Sequence, residues 1–170
     1  MNNDWRAMAI ALALILLSLG SGAAGALEPP TGTPILTVSG DIGVTNQGDQ
    51  AVFDYEMLES LGTHTTRTST PWHDGTQTFT GPLIRSLLDT VDAEGERIIA
   101  KALNDYESEI PIEDFTTYDV ILATHQNGER MSVRDRGPIF VIYPFDSDPA
   151  LYQETIISRS VWQVNRIQVP

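Results

Sequence analysis

The stretch Ile139-Phe140-Val141-Ile142-Tyr143 constrains this chain more than any other. Five consecutive apolar, β-prone residues stand between Gly137-Pro138 on one side and Pro144 on the other. Breakers that close together leave no room for a long helix, and the run offers no polar face to water. It predicts a central strand buried on both faces. Its head, Arg134-Asp135-Arg136, is charged and turn-forming. Two guanidinium groups and a carboxylate thus stand at the mouth of a buried strand. There they can meet a planar or anionic ligand, or pair with each other and with neighbouring carboxylates.

The N-terminus reads as a leader and not as part of the fold. Arg6 precedes an apolar run from Ala7 to Leu19, and small residues follow, ending Ala24-Gly25-Ala26. That order matches a signal peptide cleaved after Ala26, and the apolar run is short for a membrane span. An uncleaved anchor is the alternative. Residues 27–170 then form a single domain, with no direct membrane insertion after cleavage. Asp4 and Arg6 cancel, so this domain keeps the full formal charge of −13. Such an acidic balance argues against nucleic acid and against anionic lipid surfaces as partners. The chain contains no cysteine, which rules out disulfides, thiolate metal ligands and a thiol nucleophile.

Along the chain, strands outnumber helices. Pro34–Gly40 predicts a strand, and Phe53, Met57, Leu58 and Leu61 fall at helical spacing behind an Asp54 cap. Thr63–Thr70 is a threonine-dominated strand whose pattern places one face on a wet cavity. Pro71–Gly75 is a turn carrying Trp72 and His73. Phe79-Thr80-Gly81-Pro82 opens a second helix, with Thr80 as its cap and Leu83, Ile84, Leu87, Leu88 and Val91 as its buried stripe. Further strands are predicted at Ile98–Leu103, Tyr106–Ile110, Asp119–His125 and Ser158–Val169, with a helical turn at Pro111–Phe115. Asn127-Gly128 has hairpin-turn chemistry, with Met131–Val133 pairing back. The sum is an α+β domain, mostly β, with a few short helices.

Four segments in fixed order then carry a resemblance. They are Phe79-x-Gly81-x-Leu83-x-x-x-Leu87-Leu88, Asn104-Asp105-Tyr106 with Ile110-Pro111 behind it, Gly137-Pro138 leading a strand, and Ser160-Val161-Trp162-Gln163-Val164-x-x-Ile167. Together they resemble the molybdopterin-binding domain of the sulfite oxidase family. The likeness covers about Pro34 to Val169, and it implies a mixed-sheet, barrel-like fold around a pterin cofactor. Two departures change what it implies. The family holds molybdenum through a cysteine thiolate, whereas the corresponding strand here is His64-Thr65-Thr66-Arg67-Thr68-Ser69-Thr70. Hydroxyls are poor substitutes for a soft anionic thiolate. A lysine that faces the pterin in the family is replaced by Trp162, exchanging a charge for an aromatic plate.

With those departures the chain looks like small, exported, cysteine-free members of the fold. That likeness implies a periplasmic protein that binds a pterin, reduced pterin in preference to the molybdenum cofactor, with no metal. It also implies a partner, a membrane-bound signalling protein with a periplasmic domain that controls cyclic di-GMP. Trp72 and Trp162 would clasp the ring, and Asp135, Arg136 and Asn104 would read its edge. Asp105 and Tyr106 share the turn beside the cofactor. Arg67 and His64 occupy the strand where the thiolate would be. Each residue also has a plain structural reading: core aromatics, local ion pairs, a turn cap.

His64, His73 and His125 are too scattered to suggest a zinc site. The alternation of Glu107, Glu109, Glu113 and Asp114 around Ile110-Pro111-Ile112 reads as a solvated face. Two other functions stay open. One is a molybdenum-cofactor oxidoreductase without the cysteine ligand, and the other is a ligand-free structural or assembly module.

Overall fold

A computed structural model describes residues 26–170, so the leader reading lies outside the described residues except at Ala26. The first half of the domain runs β1 (Leu36–Gly40), β2 (Ala51–Phe53), α1 (Tyr55–Ser60), β3 (His64–Thr70), β4 (His73–Gly81) and α2 (Ile84–Thr90). The second half runs β5 (Arg97–Ala102), β6 (Glu107–Pro111), α3 (Glu113–Thr117), β7 (Ile121–Ala123), β8 (His125–Gln126) and β9 (Glu129–Arg130). It ends with β10 (Phe140–Ile142), α4 (Glu154–Arg159) and β11 (Val164–Val169). Among the described residues, no helix is long and apolar enough to cross a membrane.

The strands form three open sheets, and no closed barrel exists among the described residues. A five-stranded sheet has the order β2-β1-β11-β5-β6, with β1 and β11 parallel and its other pairs antiparallel. A four-stranded sheet has the order β3-β4-β8-β9, and β7 and β10 form a two-stranded sheet, with a further single bridge from Ile121 to Leu83. The domain is α+β and mostly β, as the sequence indicates.

Residues Ile139 to Tyr143 are all fully buried, and the alternation of a strand explains how. Phe140 and Ile142 join Phe79, Ile121, Ala123 and Met131 in a small core. Ile139, Val141 and Tyr143 face the main core, with residues such as Leu87, Ile98 and Val164. The strand is central in this sense: it is the wall between two cores.

Local chemistry accounts for several elements. Asp54 caps α1 by accepting from the Met57 amide at 2.9 Å and also from the Gly32 amide at 2.7 Å. Both bonds favour the charged carboxylate, so its pKa lies below the ordinary value. Asn127 and Gly128 take left-handed φ values of 53° and 86° in the β8–β9 hairpin, as an Asn-Gly turn requires.

Four expectations are corrected. Phe79-Thr80-Gly81 does not open a helix but ends β4, where Thr80 pairs with Thr65 on one side and His125 on the other. The helix starts later, behind Leu83, with no side-chain cap. The last strand starts at Val164, because α4 occupies Glu154–Arg159. Pairing back falls on Glu129–Arg130, with the Met131 amide adding one bond to the Thr124 carbonyl at 2.9 Å. Finally, the threonine face of β3 is mostly closed to water, while His64, Thr65, Thr66 and Arg67 at the start of the strand border an open cleft. Thr66, Thr68 and Thr70 are buried, and Thr68 is held by donating to Ser69 and accepting from the Asp146 amide.

Candidate functional site

Trp72 follows Pro71 in the two-residue turn between β3 and β4, and Trp162 lies just before β11. A single backbone bridge pairs Trp162 with Phe140 of the buried strand. The two indoles meet edge to face, with centroids 5.6 Å apart and planes at 89°. Both also pack edge-on against Phe140, at 5.4 and 6.1 Å. A ring held between two parallel plates needs ~7 Å from plate to plate, twice a stacking contact. The indoles therefore do not clasp a ligand between them; they are two perpendicular walls beside it.

The space they border is a cavity of about 320 Å³. Its far wall comes from the end of α4 and the segment after it, through Ile157, Ser158, Ser160 and Val161. The end of β5 supplies Ala102, and the β5–β6 turn supplies Asn104 and Tyr106. Asn104 Oδ1 accepts from the Tyr106 amide at 3.1 Å, and the Tyr106 hydroxyl donates to the Ser158 carbonyl at 3.0 Å. Tyr106 thus straps the turn to α4 across the cavity while remaining half exposed. Among the described residues, no charged side chain lines the space. Its polar side chains include the Asn104 amide and the Ser158, Ser160 and Tyr106 hydroxyls; the three hydroxyls already donate to the Thr155, Ile156 and Ser158 carbonyls, so toward a ligand they are acceptors.

Arg136 supports this wall from behind. It takes a left-handed backbone (φ 71°), a conformation that costs a non-glycine residue about 1 kcal/mol. Its guanidinium carbon lies 5.5 Å from the centroid of Trp162. Nη2 donates to the Trp72 carbonyl at 3.3 Å, and Nη1 meets His73 Nε2 at 3.1 Å. The arginine carbonyl accepts from the Gln163 amide at 2.9 Å. A guanidinium can only donate, so Nε2 must be the acceptor and the His73 proton must sit on Nδ1, 2.8 Å from Thr70 Oγ1. Burial, and then the charge of Arg136, hold the pKa of His73 below the ordinary value.

The structure brings Trp72, Trp162, Asn104 and Tyr106 to one cavity, with Arg136 behind the tryptophans. It places the other three expected residues elsewhere. Asp105 is exposed and lies 3.6 Å from both Lys101 and Arg166, with φ at 64°. Asp135 accepts from Ser132 Oγ at 2.6 Å and lines a different cleft, with Arg130 and Met131. Arg67 opens onto a third cleft, beside His64, Tyr118 and Ser147. The sequence does not single out Ile157 and Ser158, because a six-residue helix leaves too short a pattern to detect, and it quotes Ser160 within the Ser160-Val161-Trp162 segment without giving it a role. In the sequence His73 is a turn residue and one of three scattered histidines, with no role beside the tryptophans. Its signal was its place beside Trp72, three residues after Thr70.

One predicted solvated carboxylate is corrected. Glu107, Glu109 and Glu113 are exposed, but Asp114 is half-buried. Its Oδ2 accepts from the Tyr143 hydroxyl at 2.6 Å and from Arg159 at 2.9 Å. The α3 helix turns it inward, onto the buried strand and α4.

A concave space with aromatic walls and a few convergent polar groups has the make-up of a small-molecule binding site. A family model for the oxidoreductase molybdopterin binding domain matches residues 51–146, and the chain belongs to that family. No curated protein matches the chain. The matched span carries Trp72, Asn104 and Tyr106 but stops short of Trp162 and the α4 wall. Membership implies a pterin-type cofactor. A flat, neutral, heteroatom-edged ring fits this cavity. A thiolate-held metal does not fit, since the chain has no cysteine and Ser69, on the corresponding strand, is tied to Asp146 and Tyr152.

Proposed function

We propose that this is a pterin-binding protein without a catalytic step, in which reduced pterin occupies the cavity beside Trp72 and Trp162. The observation that carries the reading is the uncharged, indole-walled cavity in a member of a molybdopterin-binding family. One indole face offers stacking, while the Asn104 amide can donate to the ring edge and the Ser158 and Ser160 hydroxyls, which donate to the Thr155 and Ile156 carbonyls, can accept from it. In this reading the leader exports the domain, residues 27–170, to the periplasm. A membrane signalling protein with a periplasmic domain then senses occupancy and adjusts cyclic di-GMP. The support for a relay is the half-exposed Tyr106 strap, which joins the cavity to the surface. A ligand that favours one arrangement of this rim shifts its population, and a partner needs no more than that.

The test is to purify the protein from the periplasm of a pterin-producing bacterium and release small molecules with acid. Mass spectrometry and fluorescence identify the pterin, and elemental analysis of the same sample measures molybdenum. The expected result is a stoichiometric pterin without molybdenum, lost in the Trp72→Ala, Trp162→Ala double variant. Molybdenum near one atom per chain would overturn the reading in favour of an oxidoreductase. Unchanged retention in the double variant would move the site elsewhere.

A further inference from the structure

Both tryptophans are held by one residue. Arg136 donates to the Trp72 carbonyl, covers the Trp162 ring, and through its own carbonyl fixes Gln163, the residue after Trp162. Among the described residues its guanidinium forms no ion pair with a carboxylate. What it has instead is a neutral imidazole. His73 accepts from it at Nε2 and, from Nδ1, donates to Thr70 Oγ1, which also receives the Trp72 amide at 3.4 Å. The other neighbours of the histidine ring are Phe79 of β4 and Phe140 of β10, which do not titrate. Arg136 is therefore the charged group that faces it.

We propose that His73 is a positioning residue for the pterin cavity: neutral, it holds Arg136 against the two tryptophans, and on taking up a proton it releases them. This rests on the pterin-binding reading. The chemistry runs in one direction. A proton on Nε2 turns the acceptor into a donor facing a donor and sets two cations side by side. The bond from Nη1 is lost, and repulsion moves the guanidinium, which is what anchors the Trp72 carbonyl and covers Trp162. Protonation thus weakens the cavity wall, and ligand affinity falls as pH falls.

Residues Trp5, Trp72 and Trp162 are the only tryptophans in the chain, so the full chain carrying Trp5→Phe reports on the site by its own emission. With no ligand present, its emission should show a one-proton transition below the ordinary histidine value, about 6.5. His73→Gln cannot titrate there but can still accept from Arg136, and it should abolish the transition. A transition that survives in His73→Gln overturns the proposal. If that variant does not fold, histidine ¹⁵N spectra of the unmutated protein decide. One ring should be protonated at Nδ1 alone near neutrality and titrate late; three rings titrating at the ordinary value overturn the idea.

The second arm is calorimetric titration with tetrahydrobiopterin under anaerobic conditions. Losing a bond to a charged group is worth about tenfold, so affinity should drop by that factor between about pH 7.5 and about pH 5. Because the ring amine of the ligand also takes up a proton in this range, the drop is read against His73→Gln, which should lack the tenfold component, while His73→Ala should bind weakly throughout. Identical profiles in the unmutated protein and His73→Gln overturn the proposal. An emission transition with no pterin bound at any pH keeps the clamp and overturns the ligand assignment.

Discussion

Asp114 shows what a single side chain does in this fold. It is a carboxylate whose side chain is 13% exposed, compensated by Arg159 and by the Tyr143 hydroxyl. Burial first, and the neighbouring carboxylate second, push the pKa of Tyr143 far up, so it stays a donor at any ordinary pH. The pair matters for function because Arg159 lies between Ser158 and Ser160, two residues of the cavity wall. Arg159→Met leaves a half-buried carboxylate with one neutral donor and should cost about 3 kcal/mol. Tyr143→Phe removes that donor and should cost about 2 kcal/mol. Urea midpoints measure both, and adding Asp114→Asn to Arg159→Met should restore part of the loss. Equal midpoints for Arg159→Met and the unmutated protein would show that solvent already satisfies Asp114. At this scale the sequence revealed residue types but not directions. Trp72 stood out because a large aromatic in a Pro-Trp turn has little reason to be there. Arg67 and Asp135 lie in other clefts because side chains on a strand alternate and those in a tight turn fan out. Neighbours in sequence such as Asp135 and Arg136 therefore point to different clefts.

Among the elements, β4 carries the most weight, since it pairs with both β3 and β8 and ends where the chain crosses β7. The crossing is a backbone contact: the Leu122 amide donates to the Pro82 carbonyl at 2.9 Å. A Cβ added at Gly81 would stand 1.9 Å from the Leu122 carbonyl oxygen. Gly81→Ala must therefore push β4 away from β7, and the small core of Phe79, Ile121 and Phe140 would open with it. The expected cost is about 3 kcal/mol, read as a lower urea midpoint with a red-shifted tryptophan emission. An unchanged midpoint would mean that the two strands separate freely. The same crossing explains a failure of sequence reading. Gly81-Pro82 looks like a helix entry, yet long-range pairing of Thr80 with Thr65 and His125 overrides that local signal. Elements whose determinants are local were legible, as with the Asp54 cap and the Asn127-Gly128 hairpin. The α4 helix was not, because Ile156 is its one fully buried residue and six residues span under two turns.

For the whole molecule, sheet order was hidden from the sequence. The parallel pairing of Thr37 with Arg166 closes nearly the full length of the domain, and no local pattern encodes it. Net charge, by contrast, is read directly, and it makes a prediction about the ligand. A formal charge of −13 surrounds a cavity with no charged lining. A neutral pterin entering that cavity neither gains nor loses much from the field. A phosphate-bearing pterin is repelled by the net charge of the molecule and meets no cation among the side chains that line the cavity, Arg136 lying behind Trp162. Raising salt from about 0.01 M to about 1 M shortens the screening length from about 30 Å to about 3 Å. Across that range the affinity for a neutral reduced pterin should change less than about twofold, a margin smaller than one weak ionic contact. The affinity for a phosphorylated pterin should rise, because screening removes repulsion and has no attraction to remove. Calorimetric titration of both ligands at both salt concentrations gives the four values. If affinity for the phosphorylated ligand falls with salt instead, a cation holds it. That cation would be Arg136, reached by displacement of the Trp162 ring it covers, or Arg67 in an outer cleft, and Arg136→Gln against Arg67→Gln tells the two apart.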